Sequence, residues 1–362
     1  MPMIPHNGRP AARGRGAQSN ATGRFESQVR EAFDDGWTAD DEAPAPLRTE
    51  VTPEKAKVII SRNDSPDVGF DRSINPYRGC EHGCIYCYAR PSHAYVGLSP
   101  GLDFESRIFF KPEAGRLLAG ELSKRGYEPR TIHIGGNTDP YQPQERRLRI
   151  TRGVIETLAR FNHPFSVITK SALILRDVDL IGPMGQARLA RAAVSVTTLD
   201  RALARAMEPR AATPERRIAA IRGLAAAGCP VTVMFAPVIP GLNDHELEAV
   251  LERAAEAGAV AAGYVVLRLP LEIKDLFREW LEAARPERAA KVMSLVRQMR
   301  RGKDYDMRWG ERMKGEGPIA ELIGARFAAA KGRFGLDRTL PPLEIGRFEA
   351  PRAASRQLDL FG

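Results

Sequence analysis

Residues 80–87 read Cys80-Glu81-His82-Gly83-Cys84-Ile85-Tyr86-Cys87 and hold three of the four cysteines of this 362-residue chain, in a C-x3-C-x2-C spacing. The fourth, Cys229, is distant in sequence. Disulfide scaffolds need many paired cysteines in a secreted chain, so this triplet indicates metal binding in a reducing compartment. Three thiolates on one short loop can bind three irons of a 4Fe–4S cluster and leave the fourth iron without a protein ligand.

The alternative for this loop is a structural zinc site completed by a nearby histidine. His82 and His93 are the candidates for the fourth ligand. Zinc sites favour paired C-x2-C arms from two segments, and the sequence has no second arm. The lone triplet therefore favours an open iron–sulfur cluster over zinc.

Strand-like and helix-like runs alternate over residues 73–271. Short β-branched and apolar runs predict strands at 131–134, 165–169, 193–197, 231–236 and 264–267. Helices are predicted between them, one from Thr213-Pro214 to Gly228 and another from Asn243 to Gly258. Repeated strand–helix units predict parallel strands with right-handed crossovers. We expect an α/β fold, a partial (β/α)6 TIM-type barrel with functional loops at the carboxyl ends of its strands. An open doubly wound sheet is the alternative.

The cysteine loop, the aromatic Tyr86 directly before its last cysteine and the strand–helix alternation together resemble the radical SAM superfamily. The resemblance implies that Cys80, Cys84 and Cys87 hold a 4Fe–4S cluster whose unique iron chelates S-adenosylmethionine (SAM). Electron transfer into the sulfonium would then yield a 5′-deoxyadenosyl radical that abstracts hydrogen from a substrate. Such cofactors carry the chemistry, and the protein positions them and excludes water. The electron would come from a donor such as flavodoxin or ferredoxin.

Four further runs make the chain similar to the spore photoproduct lyase-like branch of this superfamily. They are GGNTDPYQPQE at 135–145, TKS at 169–171, SVT at 195–197 and PVIPGLN at 237–243. The resemblance places Gly136 in the glycine-rich motif for the SAM amino group. It also places Asn137, Thr138 and Asp139 near the methionyl and ribose groups.

Three other residues acquire roles from the same resemblance. Lys170 would pair with the SAM carboxylate, Ser195 would reach the same end, and Tyr86 would contact the adenine through its backbone. The segment Glu208-Pro209-Arg210 is a weaker candidate on the ribose side. Taken singly, these residues also fit tight turns, helix caps or a surface lysine. Because each run follows a predicted strand, the set together favours a binding site.

Cys229 marks a departure from the lyase that names the branch. That lyase uses a cysteine to return hydrogen to its product radical. Here Cys229 lies in a Gly-Cys-Pro strand entry, which predicts a buried, apolar-type residue. The lyase reaction itself therefore does not follow from the resemblance.

Charge is unevenly distributed along the chain. The totals are 54 Lys and Arg against 45 Asp and Glu, a net +9, and residues 288–338 alone carry 13 against 6, a net +7. A basic segment fits a polyanionic partner, nucleic acid first among them, although a solvated helical face is equally compatible. Aromatic residues interleave with arginines there: Tyr305, Trp309 and Phe334 with Arg308, Arg312 and Arg333. They would stack on bases or anchor the segment by packing, the latter being favoured for Trp309.

Composition divides the chain into four parts. Residues 1–48 are expected to be disordered, 49–285 to form the radical SAM core domain, 286–340 a basic helical extension and 341–362 a flexible tail. No apolar run reaches the ~18–20 residues of a membrane span and no signal peptide is visible, so we expect a cytoplasmic protein without membrane contact.

The tail ends in Gln357, Leu358, Asp359, Leu360 and Phe361, which resembles the peptide that docks on bacterial sliding clamps. A frayed terminus is the alternative.

These observations predict a radical SAM enzyme that acts on nucleic acid in a repair-like, lyase-related reaction. A second hypothesis keeps the radical chemistry and changes the substrate to protein, RNA or a small molecule. A third is a non-catalytic iron–sulfur partner of the sliding clamp, with a closed four-ligand site and no affinity for SAM.

Overall fold

Six parallel strands, hydrogen-bonded in the order of the chain, form the centre of the computed structural model, which describes residues 14–26, 29 and 47–350. The strands are β1 (Glu50–Pro53), β2 (Ile60–Arg62), β3 (Arg72–Ile74), β4 (Tyr77–Arg78), β5 (Arg107–Phe110), β6 (Ile132–Ile134), β7 (Phe165–Thr169), β8 (Ala190–Ser195), β9 (Val231–Val238) and β10 (Ala261–Val266). The main sheet has the order β10-β9-β8-β7-β6-β3-β2, and only β2 is antiparallel to its neighbour. Because the order never reverses, the sheet is singly wound, as in a partial (β/α)6 barrel, and not doubly wound. The predicted fold is confirmed.

Helices connect the parallel strands β3, β6, β7, β8, β9 and β10 in turn and continue beyond the last one. They are α1 (Leu102–Ser106), α2 (Ala114–Leu122), α3 (Glu145–Leu148), α4 (Ile150–Arg160), α5 (Val178–Gln186), α6 (Arg201–Met207), α7 (Pro214–Ala226), α8 (Leu247–Glu256), α9 (Ile273–Ala284), α10 (Pro286–Gln298), α11 (Glu311–Lys314) and α12 (Pro318–Arg333). Short 3-10 helices span Arg90–Val96, Ala172–Asp177 and Asp244–Glu246. Across the described part of the chain, none of these helices combines the length and apolarity needed to cross a bilayer.

The ends of helices α7 and α8 show how far capping signals in the sequence predict helix boundaries. Helix α7 begins at Pro214 after the extended Thr213 and ends before Gly228, whose φ is +86°, as the sequence predicts. Helix α8 starts later than predicted, because Asn243 does not cap it. Its buried amide accepts from Ile239 N–H at 2.6 Å and donates to Thr197 C=O at 2.7 Å. Asn243 thereby joins the ends of β8 and β9.

An N-terminal arm, residues 14–26, packs against the domain although it falls within the segment predicted to be disordered. Arg15 donates to Glu105 C=O at 2.6 Å, and the N–H groups of Gly16 and Ala17 donate to the buried Glu105 carboxylate at 2.9 and 2.8 Å. Gly16 lies so close to Gly83 that a Cβ on it would stand 1.9 Å from Gly83 C=O. Polar contacts therefore order a stretch with few apolar side chains.

The C-terminal extension also packs on the barrel. Helix α12 lies against α8, where Arg326 pairs with Glu248 at 2.6 Å, and Phe327 packs on Tyr264 of β10 with ring centroids 4.6 Å apart. Beyond residue 340, Phe348 packs on the rings of Tyr127 and Phe161, within the segment predicted to be a flexible tail. The clamp-like residues 357–361 lie outside the described residues.

Candidate functional site

The cysteine loop follows β4 and is held by its backbone. Cys80 and Cys84 are 6% and 7% exposed, Cys87 is half-buried, and all three are free thiols. Cys80 N–H donates to Phe104 C=O at 2.9 Å, and Cys87 N–H donates to Cys84 C=O at 3.2 Å. Gly83 has φ +68°, and a Cβ there would approach Glu105 Oε2 to 2.7 Å, so the turn needs glycine.

A buried ion pair supports the loop from behind. Arg90 and Glu105 are both fully buried and lie 2.5 Å apart. The Arg90 guanidinium also donates to Cys84 C=O at 2.9 Å and Gly83 C=O at 3.2 Å. This pair fixes the path of the loop through its carbonyls, and no pattern in the sequence had marked either residue.

The thiols lie in one electrostatic environment. Burial raises the pKa of Cys80, and Asp139, Cys84 and Cys87 raise it further. Burial likewise raises the pKa of Cys84, with Glu208 adding to the effect, while Lys170 opposes it. Buried thiols of this kind ionise when a metal centre supplies positive charge, so the donor set fits an iron–sulfur cluster.

The described residues contain no group of three His, Cys, Asp or Glu side chains arranged around a single metal ion. A cluster makes no such demand, because its cysteines bind different irons. The histidines considered for zinc have other partners. His82 Nδ1 lies 3.3 Å from Asp139 Oδ2, and His93 Nε2 lies 3.0 Å from Arg107 C=O.

Asp139 connects the loop after β6 to the end of β7. Its carboxylate accepts from Thr169 Oγ1 at 2.6 Å, Lys170 N–H at 2.7 Å and Tyr141 N–H at 2.9 Å. Burial alone would raise the pKa of Asp139, but the His82 imidazole and these hydrogen bonds outweigh it and lower the pKa to about 2. Asp139 is thus an ionised group whose oxygens are occupied by the protein itself.

The neighbouring residues of the glycine-rich run also contact the cysteine-loop region. Gly136 C=O accepts from the Tyr88 hydroxyl, and Asn137 N–H donates to Asn75 Oδ1 at 2.8 Å. Thr138 Oγ1 donates to Tyr77 C=O at 2.9 Å. The run therefore borders the cysteine loop through hydrogen bonds that fix its backbone.

Lys170 places a cation beside the cysteine loop. Its Nζ lies 5.7 Å from the centroid of the Tyr86 ring. Among the described residues, no carboxylate lies within salt-bridge distance of this Nζ, and its charge lowers the pKa of Cys84. An ammonium group in this position can bind a ligand carboxylate.

A buried network at the end of β8 completes the site. The Glu208 carboxylate accepts from the Tyr86 hydroxyl, from Thr197 Oγ1 at 2.7 Å and from the Arg217 guanidinium. Arg217 also donates to Ser195 C=O at 3.2 Å, which positions the buried Ser195. Glu208 had only a weak signal in the sequence, Thr197 stood in the run 195–197 without a role assigned to it, and Arg217 had no signal.

Cys229 lies away from this assembly, at the amino end of β9. It is 2% exposed, and burial raises its pKa to about 12. The predicted apolar-type environment is confirmed. The residues predicted for the cofactor site instead lie together: the loop cysteines and Tyr86 follow β4, the 136–139 run follows β6, Lys170 follows β7, and Ser195 ends β8.

The fold and this site correspond to a known family. The profile of the radical SAM superfamily matches residues 74–254, half of the chain. The chain therefore belongs to the radical SAM superfamily and is an enzyme of that class.

Solved structures of spore photoproduct lyase share the fold. The lyase complexed with dinucleoside spore photoproduct is 14% identical, with 78% of each chain covered and a TM-score of 0.53. A variant with bound AdoMet and the same dinucleoside gives 14% identity, the same coverage and a TM-score of 0.52.

Two sequence relatives are also similar to this chain. An uncharacterized protein of Mycobacterium tuberculosis is 37% identical over 230 residues, which cover 63% of this chain and 68% of that protein. One of Methanocaldococcus jannaschii is 26% identical over 66% of this chain and 85% of its own length.

Proposed function

We propose that this protein is a cytoplasmic radical SAM enzyme that binds a 4Fe–4S cluster through Cys80, Cys84 and Cys87 and acts on nucleic acid in a repair-like reaction. The observation that carries the proposal is the Lys170 ammonium, which has no carboxylate partner in the described chain and lies beside the cysteine loop, near Tyr86 and Cys84. A loop that binds a cluster and a cation that binds a carboxylate suit a zwitterionic sulfonium ligand. The cytoplasm suits free thiols, which persist in a reducing compartment.

The chain's own residues bind, orient and shield the cofactors. When bound, the cluster and SAM supply an electron and a 5′-deoxyadenosyl radical. Lys170 would hold the SAM carboxylate, and Asp139 would position Lys170 through its backbone N–H. The Tyr86–Glu208–Arg217 network would keep the adenosine side of the site rigid and water-poor.

The positive charge of the C-terminal extension favours nucleic acid as the substrate class. The extension of residues 288–338 carries a net +7 and packs on β10, the last strand of the barrel. The lyase that shares the fold has been solved with a dinucleoside photoproduct, which suggests the same class for this chain. A protein, RNA or small-molecule substrate is the second candidate, because radical chemistry at the site does not itself select a polymer. A non-catalytic clamp partner is disfavoured by membership of an enzyme family.

The test is anaerobic reconstitution with iron and sulfide, reduction, addition of SAM and quantification of 5′-deoxyadenosine. We expect product from the wild type and none from Cys80→Ala, Cys84→Ala or Cys87→Ala, which should also lose iron. Cys229→Ala is the matched control and should keep both iron and product, because Cys229 lies outside the site. Full iron content in all three loop variants would reject the cluster assignment.

A further inference from the structure

The extension brings a second set of side chains to the mouth of the barrel beside the cysteine loop. The buried Arg300 joins the two parts: its guanidinium donates to Leu267 C=O at 3.0 Å, after β10, and to Glu311 and Arg312 C=O of α11 at 2.7 and 3.1 Å. Helix α11 is thereby fixed to the carboxyl end of β10. Residues on α11 consequently share a surface with Arg268, which follows Leu267.

Among the described residues, Arg268 is a cation without a salt-bridge partner. Its Cζ lies 5.0 Å from the centroid of the Tyr88 ring, and Tyr88 directly follows the ligand candidate Cys87. Its Nη1 lies 3.4 Å from Met313 Sδ, and its buried Nε has no hydrogen-bond partner among the residues that the structure describes. Within the described part of the chain, no carboxylate lies within 4.0 Å of this guanidinium. A half-buried, unneutralised arginine of this kind is suited to an anion that arrives from outside.

Trp309 and Arg312 form a second pair on the same surface. The Arg312 Cζ lies 3.9 Å from the Trp309 ring centroid, and Arg312 also pairs with Asp67. Burial raises the pKa of Asp67, but Gly310 N–H, Arg312 and Arg268 together lower it, so both guanidinium groups lie near this one acid. Asp67 forms its ion pair with Arg312, so within the described residues one acid faces two guanidinium groups and a net positive charge remains. Trp309 is 55% exposed and Tyr88 46%, so both rings retain open surface.

We infer that Tyr88, Arg268, Trp309 and Arg312, here named the aromatic–arginine strip, bind a single-stranded or locally unpaired stretch of nucleic acid at the mouth of the barrel. Exposed rings accept unpaired bases by stacking, and Arg268 holds a backbone phosphate near the cysteine loop. In a duplex the bases stack on one another, so their faces are not available for stacking on the Tyr88 and Trp309 rings. The inference rests on the nucleic-acid part of the proposed function and specifies which form of nucleic acid the site takes.

The test measures binding of the reconstituted full-length protein to three fluorescent probes: (dT)12, (rU)12 and a 12-base-pair DNA duplex. We expect both single strands to bind more tightly than the duplex, with the difference between the first two separating DNA from RNA. Trp309→Ala should weaken single-strand binding by about tenfold or more, whereas Trp309→Phe should keep most of it.

Salt dependence separates the phosphate contact from stacking. Arg268→Gln should reduce the slope of log affinity against log salt by about 0.7, and Arg268→Lys should keep the slope. Trp309→Ala should leave the slope unchanged. Arg116→Gln is the matched control, because it removes an exposed charge from the outer helix α2 and should change neither affinity nor slope.

The outcomes separate failure of the strip from failure of the proposed function. Wild-type binding to single strands that Arg268→Gln and Trp309→Ala leave unchanged overturns the strip and leaves the proposed function standing. Tighter binding to the duplex also overturns the strip. Failure of the wild type to bind any probe, while it still cleaves SAM, rejects nucleic acid as the substrate class and the strip with it.

Discussion

Asp139 accepts a 2.7 Å hydrogen bond from the backbone N–H of Lys170, so one carboxylate fixes the backbone of the residue whose ammonium lies beside the cysteine loop. Asp139→Asn should weaken SAM binding at least tenfold and leave iron content intact, because the amide cannot satisfy Lys170 N–H, Thr169 and His82 together. Equilibrium binding of SAM and iron analysis measure the two effects separately. Asp179→Asn, which changes a carboxylate on α5 that pairs with Arg152, is the control. Wild-type affinity in Asp139→Asn would remove its positioning role.

Lys170 itself should determine SAM affinity by its charge. Lys170→Met should raise the SAM dissociation constant by about tenfold to a hundredfold, because this factor corresponds to the free energy of one hydrogen bond to a charged group. Cluster content should stay constant, because Lys170 is not a thiol ligand. Lys124→Met removes an exposed lysine after α2 and should bind SAM normally. An unchanged dissociation constant in Lys170→Met would contradict the assignment.

The Arg90–Glu105 pair should control the stability of the cysteine loop. Arg90→Met leaves Glu105 buried with less compensation, so the free energy of unfolding should fall by about 3–5 kcal/mol. Adding Glu105→Leu should recover part of the loss, because the unpaired charge is removed as well. Chemical denaturation of the wild type, Arg90→Met, Glu105→Leu and the double variant measures this. If the double variant is as unstable as the sum of the single variants, the two residues act independently.

Acid should destabilise the protein through its buried histidines. Burial lowers the pKa of His163 from 6.5 to about 4 in the fold, while the Pro164 carbonyl opposes this. The unfolded chain therefore takes up a proton at a higher pH than the native protein. The stability contributed by neutral His163 is complete above about pH 6.5 and is lost as the pH falls towards 4, by about 3 kcal/mol. Denaturation between pH 7 and 4 should show a smaller loss in His163→Gln; an identical pH profile would contradict this.

The C-terminal peptide should act as a separate docking element. Deleting residues 357–361 should weaken binding to a bacterial sliding clamp at least tenfold, since Leu and Phe anchors supply most of the energy of such short peptides. A variant with the same five residues in scrambled order controls for length and composition. SAM cleavage should be equal in all three proteins. Equal clamp affinity for the scrambled and native tails would exclude the clamp hypothesis.

Sequence reasoning succeeded where the determining contacts are local or repeat along the chain. The C-x3-C-x2-C spacing and the alternation of strands and helices lie within short windows, so the cysteine loop and the singly wound fold were both predictable. The apolar-type setting of Cys229 also followed from its immediate neighbours.

Contacts between distant segments were not predictable in the same way. Arg217 reaches Glu208 only because α7 folds back on the end of β8, and Asn243 bonds to Thr197 across 46 residues. The composition of residues 14–26 does not indicate that their backbone N–H groups donate hydrogen bonds to Glu105. The sequence shows which residues are present, but contacts between distant segments depend on how the strands and helices assemble.

The contact of the N-terminal arm with Glu105 has a consequence for the order of events during synthesis. Arg15 leaves the ribosome 90 residues ahead of Glu105, so the arm has no docking partner until the cysteine loop and α1 have both been translated. In the folded protein Gly16 lies directly against the carbonyl of Gly83, so the docked arm covers the cysteine loop. The arm is therefore translated before its docking site, and the nascent chain carries its cysteine loop without the arm at least until Glu105 has been made.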